Sequence, residues 1–202
     1  MNSEWELRVG HALDLIEDVA EIDLVVTDPP YAFGGSGAEH ELSATVAVVL
    51  RETAARLKRG SWMVVYSASS WRSINYMIES VRGILSPVRI ASWVKPKTRT
   101  QVRTVGWRWA QVSVIAMRKG PKNRPDVAAP SEWQDHISCP IVTGGRRAQI
   151  PESVASWSVL PFVVEGGVFL DPFAGSGALP AAAAAAGMRS IGFEIGSDGG
   201  AE

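Results

Sequence analysis

The sequence predicts an α/β fold, with a mostly parallel, doubly wound sheet in a single domain of 202 residues. β-Branched and apolar runs alternate with longer segments of helical composition, an order that favours parallel strands joined by crossover helices. Two predicted strands, at residues 23–28 and 167–170, end abruptly in a proline pair and in a glycine turn. Ligands bind at such strand ends in open α/β sheets. The functional residues are therefore expected there.

Each element follows from its local composition. Pro29-Pro30 ends the second strand because proline cannot donate to a sheet ladder, Lys58-Arg59-Gly60 is typical of a helix C-terminus, and Gly187 caps the alanine run. The predicted strands are residues 5–9, 23–28, 62–67, 88–94, 111–117, 167–170 and 190–194. The predicted helices are residues 12–19, 41–58, 71–84, 151–164 and 181–186.

Composition narrows the class of protein. Cys139 is the only cysteine, which rules out an internal disulfide and a cysteine-cluster metal site. The three histidines, His11, His40 and His136, lack ligand spacing, so we expect no metal. The first residues show no signal peptide, and the longest apolar run is too short to span a bilayer. A cytoplasmic enzyme fits these observations.

A strand, a glycine turn and a helix follow one another at residues 171–177, Asp-Pro-Phe-Ala-Gly-Ser-Gly. A side chain on Gly175 or Gly177 would block close approach of a ligand to the backbone. The helix N-terminus beyond them offers amides and a positive dipole to a carboxylate or phosphate. Glu194, at the end of the next predicted strand, can accept both ribose hydroxyls of a nucleoside. The pattern indicates a nucleoside cofactor, with a plain tight turn as the alternative.

The second motif is Asp28-Pro29-Pro30-Tyr31, at the carboxyl end of a predicted strand. The two prolines stiffen the backbone and leave its carbonyls without local donors. The Asp28 carboxylate and the Pro29 carbonyl can then accept both hydrogens of a planar amino group, while the Tyr31 ring can stack on an extruded base. Holding both hydrogens frees the nitrogen lone pair for attack on a sulfonium methyl group. The alternative is that the prolines merely end a strand.

Both motifs, in this order, resemble the beta-class (permuted) DNA amino-methyltransferase family, which acts on adenine N6 or cytosine N4. The resemblance implies a Rossmann-like class I methyltransferase fold, S-adenosylmethionine as methyl donor, and a basic target-recognition insert around residues 95–150 of one domain. It implies that the catalytic residues are Asp28, Pro29, Pro30 and Tyr31. The residues that it places at the cofactor are His11, Ala12, Asp28, Asp171, Phe173, Ala174, Gly175, Ser176, Gly177 and Glu194.

Three positions depart from the family pattern. His11 stands where the family usually has an acidic residue for the adenine amino group of the cofactor. The helix expected after Glu194 is missing, which predicts a thinly covered sheet face and a possible homodimer. Gln149-Ile150-Pro151 replaces the usual Lys-Pro or His-Pro before the helix at residues 151–164. These departures lower the expected cofactor affinity more than they affect the fold.

Positive charge is concentrated in one stretch of the sequence. Residues 80–125 contain eleven of the twenty Lys and Arg residues and no acidic residue. Basic side chains neutralise phosphate, and interleaved tryptophans stack on bases or fill the gap left by a flipped base. A solvated face is the alternative, with Trp93 and Trp109 as core residues. The residues predicted to contact DNA are Lys95, Lys97, Arg99, Arg103, Trp107 and Arg108.

The resemblance therefore implies a methyltransferase that acts on adenine N6 in DNA, since cytosine enzymes of this family more often have Ser at the position of Asp28. The alternatives are a cytosine-N4 enzyme and a degenerate, non-catalytic DNA-binding remnant. By analogy, a restriction-modification, stand-alone or phage-type modification enzyme fits the small size. The Gly34-Gly35-Ser36-Gly37 loop is interpreted either as a lid over the flipped base or as a plain connection.

Overall fold

The computed structural model describes residues 5–30, 37–96, 110–123, 133–142 and 149–195. These residues form one eight-stranded sheet with the strand order β1-β8-β7-β2-β3-β5-β4-β6. The strands are β1 (Glu6–Val9), β2 (Ile22–Thr27), β3 (Leu57–Ala68), β4 (Ser86–Val94), β5 (Gln111–Arg118), β6 (His136–Ser138), β7 (Val168–Asp171) and β8 (Arg189–Glu194).

Strand direction is parallel except at β5. The pairs β1–β8, β8–β7, β7–β2, β2–β3 and β4–β6 are parallel, and β5 runs antiparallel between β3 and β4. Seven strands therefore end at the same side of the sheet, which we call the carboxyl edge, while β5 begins there. This confirms the predicted mostly parallel sheet.

Helices cover both faces of the sheet, as a doubly wound fold requires. The helices are α1 (Ala12–Leu15), α2 (Gly37–Arg56), α3 (Trp71–Ser80), α4 (Glu152–Val159) and α5 (Ala178–Ala185). Alternate residues of each strand point to opposite faces. On β3, Met63 and Val65 pack in the core with α1, α2 and α3, and Val64 and Tyr66 pack in the core with α4 and α5.

The boundary between α2 and β3 differs from the prediction. Residues 58–60 belong to the strand and do not end the helix, which stops at Arg56. Leu57 is buried and pairs with Ile22, and the Lys58 Nζ atom lies 2.9 and 3.0 Å from the two carboxylate oxygens of Asp23. Asp23 is buried, so its charge needs a cationic partner from the neighbouring strand. This tertiary pairing overrides the local helix-end pattern.

Other predicted boundaries shift by a few residues. Helix α3 ends at Ser80, and the predicted helices at residues 12–19 and 151–164 each end in a 3₁₀ turn, Ile16–Asp18 and Leu160–Phe162. Gly37 is the first residue of α2, and the other residues of the predicted lid lie outside the described residues.

Strand β6 was not predicted from the sequence. It has only three residues at the outer edge of the sheet, where it pairs with β4. The Trp93 indole Nε1 donates a hydrogen bond of 2.8 Å to the Cys139 carbonyl just after β6, and Trp93 is buried. Trp93 is therefore a core residue, as the alternative interpretation of the basic stretch held.

The described residues contain neither a helix suited to span a membrane nor a cluster of metal-binding side chains. None of the helices there combines the length and the apolar character needed to cross a membrane. No group of three or more His, Cys, Asp or Glu side chains within the described ranges is arranged to hold a metal ion.

Candidate active site

A cleft of about 280 Å³ opens at the carboxyl edge, where β2, β7 and β8 end side by side. The topology brings the two sequence motifs together here, although more than 140 residues separate them along the chain. The lining residues are Gly10, His11, Ala12, Asp28, Pro30, Thr45, Val49, Pro172, Phe173, Phe193, Glu194 and Ile195.

The proline motif begins directly after β2. Asp28 is half-buried and lines the cleft together with Pro30, and Pro29 is buried. Because proline has a fixed φ and no N–H, the chain is held stiff just beyond Asp28. Tyr31, the fourth residue of the motif, lies outside the described residues. The structure thus places a carboxylate on a rigid support at the cleft wall.

Asp171 is buried next to the cleft and accepts hydrogen bonds from β2 and from the loop after β7. Its side chain is buried, and Oδ1 accepts hydrogen bonds from Thr27 Oγ1 at 2.6 Å and from the Phe173 amide at 3.0 Å. Burial raises the pKa of Asp171 to about 7, against the two hydrogen bonds, and the nearby charges of Asp28 and Glu194 raise it further. The residues of its loop that line the cleft are Pro172 and Phe173, whereas Asp171 joins this loop to β2.

Glu194 is held by the glycine turn. Its Oε2 accepts a hydrogen bond of 2.7 Å from the Gly175 amide, and the Ala174 amide donates to the Phe193 carbonyl at 2.8 Å. The turn therefore folds back onto the end of β8. The Gly175 amide thus orients the side chain of Glu194, which lines the cleft.

Residue 177 needs to be glycine for a packing reason that the sequence did not reveal. It has φ +81°, and a Cβ there would lie 2.2 Å from the indole Cζ2 of Trp5. At Gly175 the φ is +52°, and the nearest atom to a Cβ is 3.9 Å away. Trp5 also packs 2.8 Å from a Cβ built on Gly192. Gly177 thus makes room for Trp5, and the approach of a ligand to this residue stays a prediction.

Two further residues of the glycine motif lie beside the cleft without lining it, so their contact with the cofactor stays a prediction. Ala174 is buried, Ser176 is exposed within the turn, and neither is among the residues that line the cleft. No sequence motif identified Trp5, because the residues that it packs against, Gly177 and Gly192, lie far from it along the chain.

His11 caps α1 and lines the cleft. The ring Nδ1 accepts a hydrogen bond of 3.3 Å from the Leu13 amide, and the neighbouring Gly10 amide donates to the Glu194 carbonyl at 3.0 Å. A ring nitrogen that accepts a hydrogen bond carries no proton, so the neutral ring has its N–H at Nε2. His11 therefore offers a donor where the family pattern has an acceptor.

Among the described residues of the basic stretch, Lys95 is the cation at the carboxyl edge. It follows β4, is half-buried, and its Nζ lies 4.4 Å from the centroid of the Trp93 ring. Burial lowers the pKa of Lys95, and the charge of Asp28 opposes this shift. The other predicted DNA contacts lie outside the described residues, namely Lys97, Arg99, Arg103, Trp107 and Arg108.

Other described members of the basic stretch lie away from the carboxyl edge and bind protein groups. Arg82 pairs with Glu79, Arg89 pairs with Asp135 at 3.1 Å, and Lys119 Nζ donates to the Ala55 carbonyl at 2.7 Å. Arg118 donates to Asn123 and lies over the Trp62 ring. The described residues of the basic stretch therefore do not form one continuous surface.

A second cavity of similar size, about 260 Å³, lies on the sheet face covered by α4. Its walls include Trp62, Trp133, Trp157 and Phe162, with the Arg89–Asp135 pair beside them. It contains no residue of either sequence motif. The cleft at the carboxyl edge is therefore the candidate active site.

Comparisons with known proteins agree with this geometry. A family model described as DNA methylase, of the N6/N4 type, matches residues 92–198. No protein among the curated sequences matches the chain.

Solved structures match over nearly the whole chain. The M1.HpyAVI–SAM complex has a TM-score of 0.72 and 18% identity, covering 96% of this chain and 94% of that one. TTHA0409 from Thermus thermophilus, described as a putative DNA modification methylase, has a TM-score of 0.73 and 23% identity, with 96% and 90% covered. The cytosine-N4-specific PvuII DNA methyltransferase has a TM-score of 0.72 and 19% identity, with 94% and 81% covered. These matches show the fold.

Proposed function

The chain belongs to the DNA methylase family of the N6/N4 type, and on this premise we propose that it transfers a methyl group from S-adenosylmethionine to adenine N6 in DNA. One observation carries the proposal. Asp28 of the proline motif and Glu194, which the glycine turn orients, line the same cleft at the carboxyl edge.

The residues of the cleft fit S-adenosylmethionine. Glu194 is oriented to accept ribose hydroxyls, and Phe173 offers an apolar surface beside it. The carboxylates of Asp28, Asp171 and Glu194 place negative charge around a ligand whose sulfonium is positive. When bound, this cofactor supplies an electrophilic methyl group on sulfur. His11, Gly10 and Ala12 also line the cleft.

Asp28 would act on the target base. Its carboxylate, together with the Pro29 carbonyl, accepts the two hydrogens of the exocyclic amino group and keeps the nitrogen lone pair available. A base flipped out of the duplex reaches such a site, and a ring at Tyr31 would stack on it. The carboxyl group has no need to remove a proton before methyl transfer, because neutral nitrogen is the nucleophile.

The preference for adenine rests on Asp28, and cytosine N4 is the main alternative. The cytosine-N4-specific PvuII enzyme resembles this chain as closely in fold as the other structures do. A non-catalytic DNA-binding remnant is the second alternative, and His11 is the observation that favours it. Each alternative predicts a different product in the same experiment.

DNA is proposed to approach at the carboxyl edge beside Lys95. Strand β4 ends there and β5 begins there, so the chain leaves the sheet after Val94 and returns to it at Gln111 on the same side as the cleft. This supports a recognition segment between Val94 and Gln111, whereas residues 111–118 of the expected insert at 95–150 form strand β5 within the sheet. A homodimer that covers the exposed Leu7 and Val9 of edge strand β1 remains a prediction, as does a cytoplasmic location.

The test is methyl transfer to unmethylated DNA, followed by digestion to nucleosides and mass spectrometry. We expect N6-methyldeoxyadenosine from the wild-type protein and none from Asp28→Ala, with S-adenosylhomocysteine affinity within several-fold of wild type. Glu165→Ala, which removes an exposed carboxylate far from the cleft motifs, is the matched control. N4-methyldeoxycytidine would support the cytosine alternative. A folded protein that methylates no DNA and binds no S-adenosylhomocysteine would support the remnant.

A further inference from the structure

We infer that Thr27 is a positioning residue for methyl transfer: through Asp171, its hydroxyl fixes the loop that carries Asp28 relative to the loop that carries Phe173. The inference rests on the proposed function and extends it to a residue that belongs to neither sequence motif. It concerns the distance between the two halves of the cleft, one for the target base and one for the cofactor.

A single oxygen atom joins the two loops. Thr27 is fully buried, and its Oγ1 donates to Asp171 Oδ1 at 2.6 Å. The same Oδ1 accepts the Phe173 amide at 3.0 Å. Strands β2 and β7 are neighbours, with Val25 opposite Leu170, so both loops leave the sheet side by side. Hydrogen bonds to a carboxylate are shorter and stronger than neutral ones, which suits an anchor of this kind.

Asp28 is held from both sides as a result. The preceding residue, Thr27, is tied to Asp171, and the following residue, Pro29, has a fixed φ. Methyl transfer needs the attacking nitrogen, the methyl carbon and the leaving sulfur close to one line. A displacement of about 1 Å between reacting groups can cost on the order of 10²-fold in rate. Loss of the Thr27 hydroxyl therefore affects the transfer step more than either binding step.

The bond also controls charge in the cleft. Around Asp171 lie Asp28 after β2, Glu194 after β8, and the buried Tyr66 on β3. Helix α5, which packs against β7, has no titratable side chain. Burial raises the pKa of Asp171 to about 7, and the hydrogen bond from Thr27 opposes this rise. Without the hydroxyl, Asp171 becomes neutral at a higher pH, and a cationic ligand then loses a favourable charge.

The first experiment compares Thr27→Val, which keeps the shape and removes the hydroxyl, with Thr27→Ser, which keeps the hydroxyl. Thr53→Val is the matched control, because Thr53 is fully buried in α2 and its Oγ1 has no hydrogen-bond partner among the described residues. We expect Thr27→Val to lower kcat on the order of 10²-fold, with the KM for DNA within several-fold. Thr27→Ser should restore most of the rate, and Thr53→Val should match wild type.

A second experiment needs no turnover. Calorimetry from pH 5.5 to 9 gives the affinity of S-adenosylmethionine relative to S-adenosylhomocysteine, which lacks the sulfonium charge. We expect the preference for the charged ligand to weaken as the pH falls through about 7 in the wild type, and at a higher pH in Thr27→Val. A wild-type protein that binds both ligands but methylates no DNA would contradict the proposed function and leave this comparison intact. A folded Thr27→Val that matches Thr53→Val in both experiments, or a Thr27→Ser that restores nothing, would overturn the inference.

Discussion

The indole of Trp5 occupies the space that a side chain at residue 177 would need, with 2.2 Å between its Cζ2 and a Cβ built on Gly177. Trp5 precedes β1 at one end of the sheet, and Gly177 is the residue before α5. The glycine turn thus owes part of its composition to packing within the protein. The motif thus has glycine for two reasons: a positive φ at residues 175 and 177, and space for Trp5 at residue 177. Mutation can distinguish the two.

Gly177→Ala should lower the free energy of unfolding by more than Gly175→Ala does. Both positions have a positive φ, which costs a non-glycine residue about 1–2 kcal/mol. At residue 177 the contact with Trp5 adds to this cost, whereas residue 175 has room. Urea denaturation of both variants, alone and combined with Trp5→Ala, gives the comparison. If Trp5→Ala does not reduce the cost of Gly177→Ala, the packing explanation is wrong.

His11→Asp should increase the affinity for S-adenosylhomocysteine, by about tenfold at most. Aspartate is also a good N-cap, so it preserves the cap of α1 that His11 Nδ1 makes with the Leu13 amide. It replaces the Nε2 donor with an acceptor, which suits the adenine amino group of the cofactor. Isothermal titration calorimetry measures the change.

His11→Asn is the control for this substitution, because it caps the helix without adding charge. A His11→Asp variant that binds more weakly than both wild type and His11→Asn would show that the adenine does not lie against residue 11.

Lys95→Met should weaken DNA binding while leaving the affinity for S-adenosylhomocysteine unchanged. The Nζ of Lys95 stands over Trp93 at the carboxyl edge, and one lost phosphate contact reduces the salt dependence of binding by about one counterion. Fluorescence anisotropy with duplex DNA at several salt concentrations measures both quantities. Lys122→Met removes an exposed cation beyond β5 at the opposite edge and should leave them unchanged. Equal losses in the two variants would place DNA elsewhere.

Asp171→Asn should raise the free energy of unfolding more at pH 8 than at pH 5. The pKa of Asp171 is raised to about 7 in the folded protein by burial, from an ordinary value near 4 in the unfolded chain. The folded state therefore binds this proton more tightly, and the wild type loses stability as the pH rises from about 4 through about 7. The amide removes this loss, which is on the order of a few kcal/mol, and its oxygen can still accept from Thr27 and Phe173.

Guanidinium denaturation at both pH values tests this prediction, with Thr53→Val as a variant that adds no titratable group. Identical effects of Asp171→Asn at pH 5 and pH 8 would mean that Asp171 is ionised across this range.

Much of the fold was predictable because its signals are local. β-Branched runs, the Pro29-Pro30 stop and the glycine turn each identify an element within a few residues of chain, and the predicted strands are all present in the structure. The start of β3 was wrong because Lys58 serves the buried carboxylate of Asp23, which lies 35 residues away. Strand β6 was missed because three residues carry too little pattern.

The sequence by itself determined the residues from which the chemistry of this protein is proposed. It identified the two motifs, their order, and the carboxylates Asp28 and Glu194, since these depend on which residues follow one another. The tertiary structure decided which groups meet. Thr27 and Asp171 are 144 residues apart yet share a hydrogen bond, and Lys95 is the described cation of the basic stretch that lies at the carboxyl edge. Contacts between distant segments depend on strand order and register, and no short stretch of sequence contains that information.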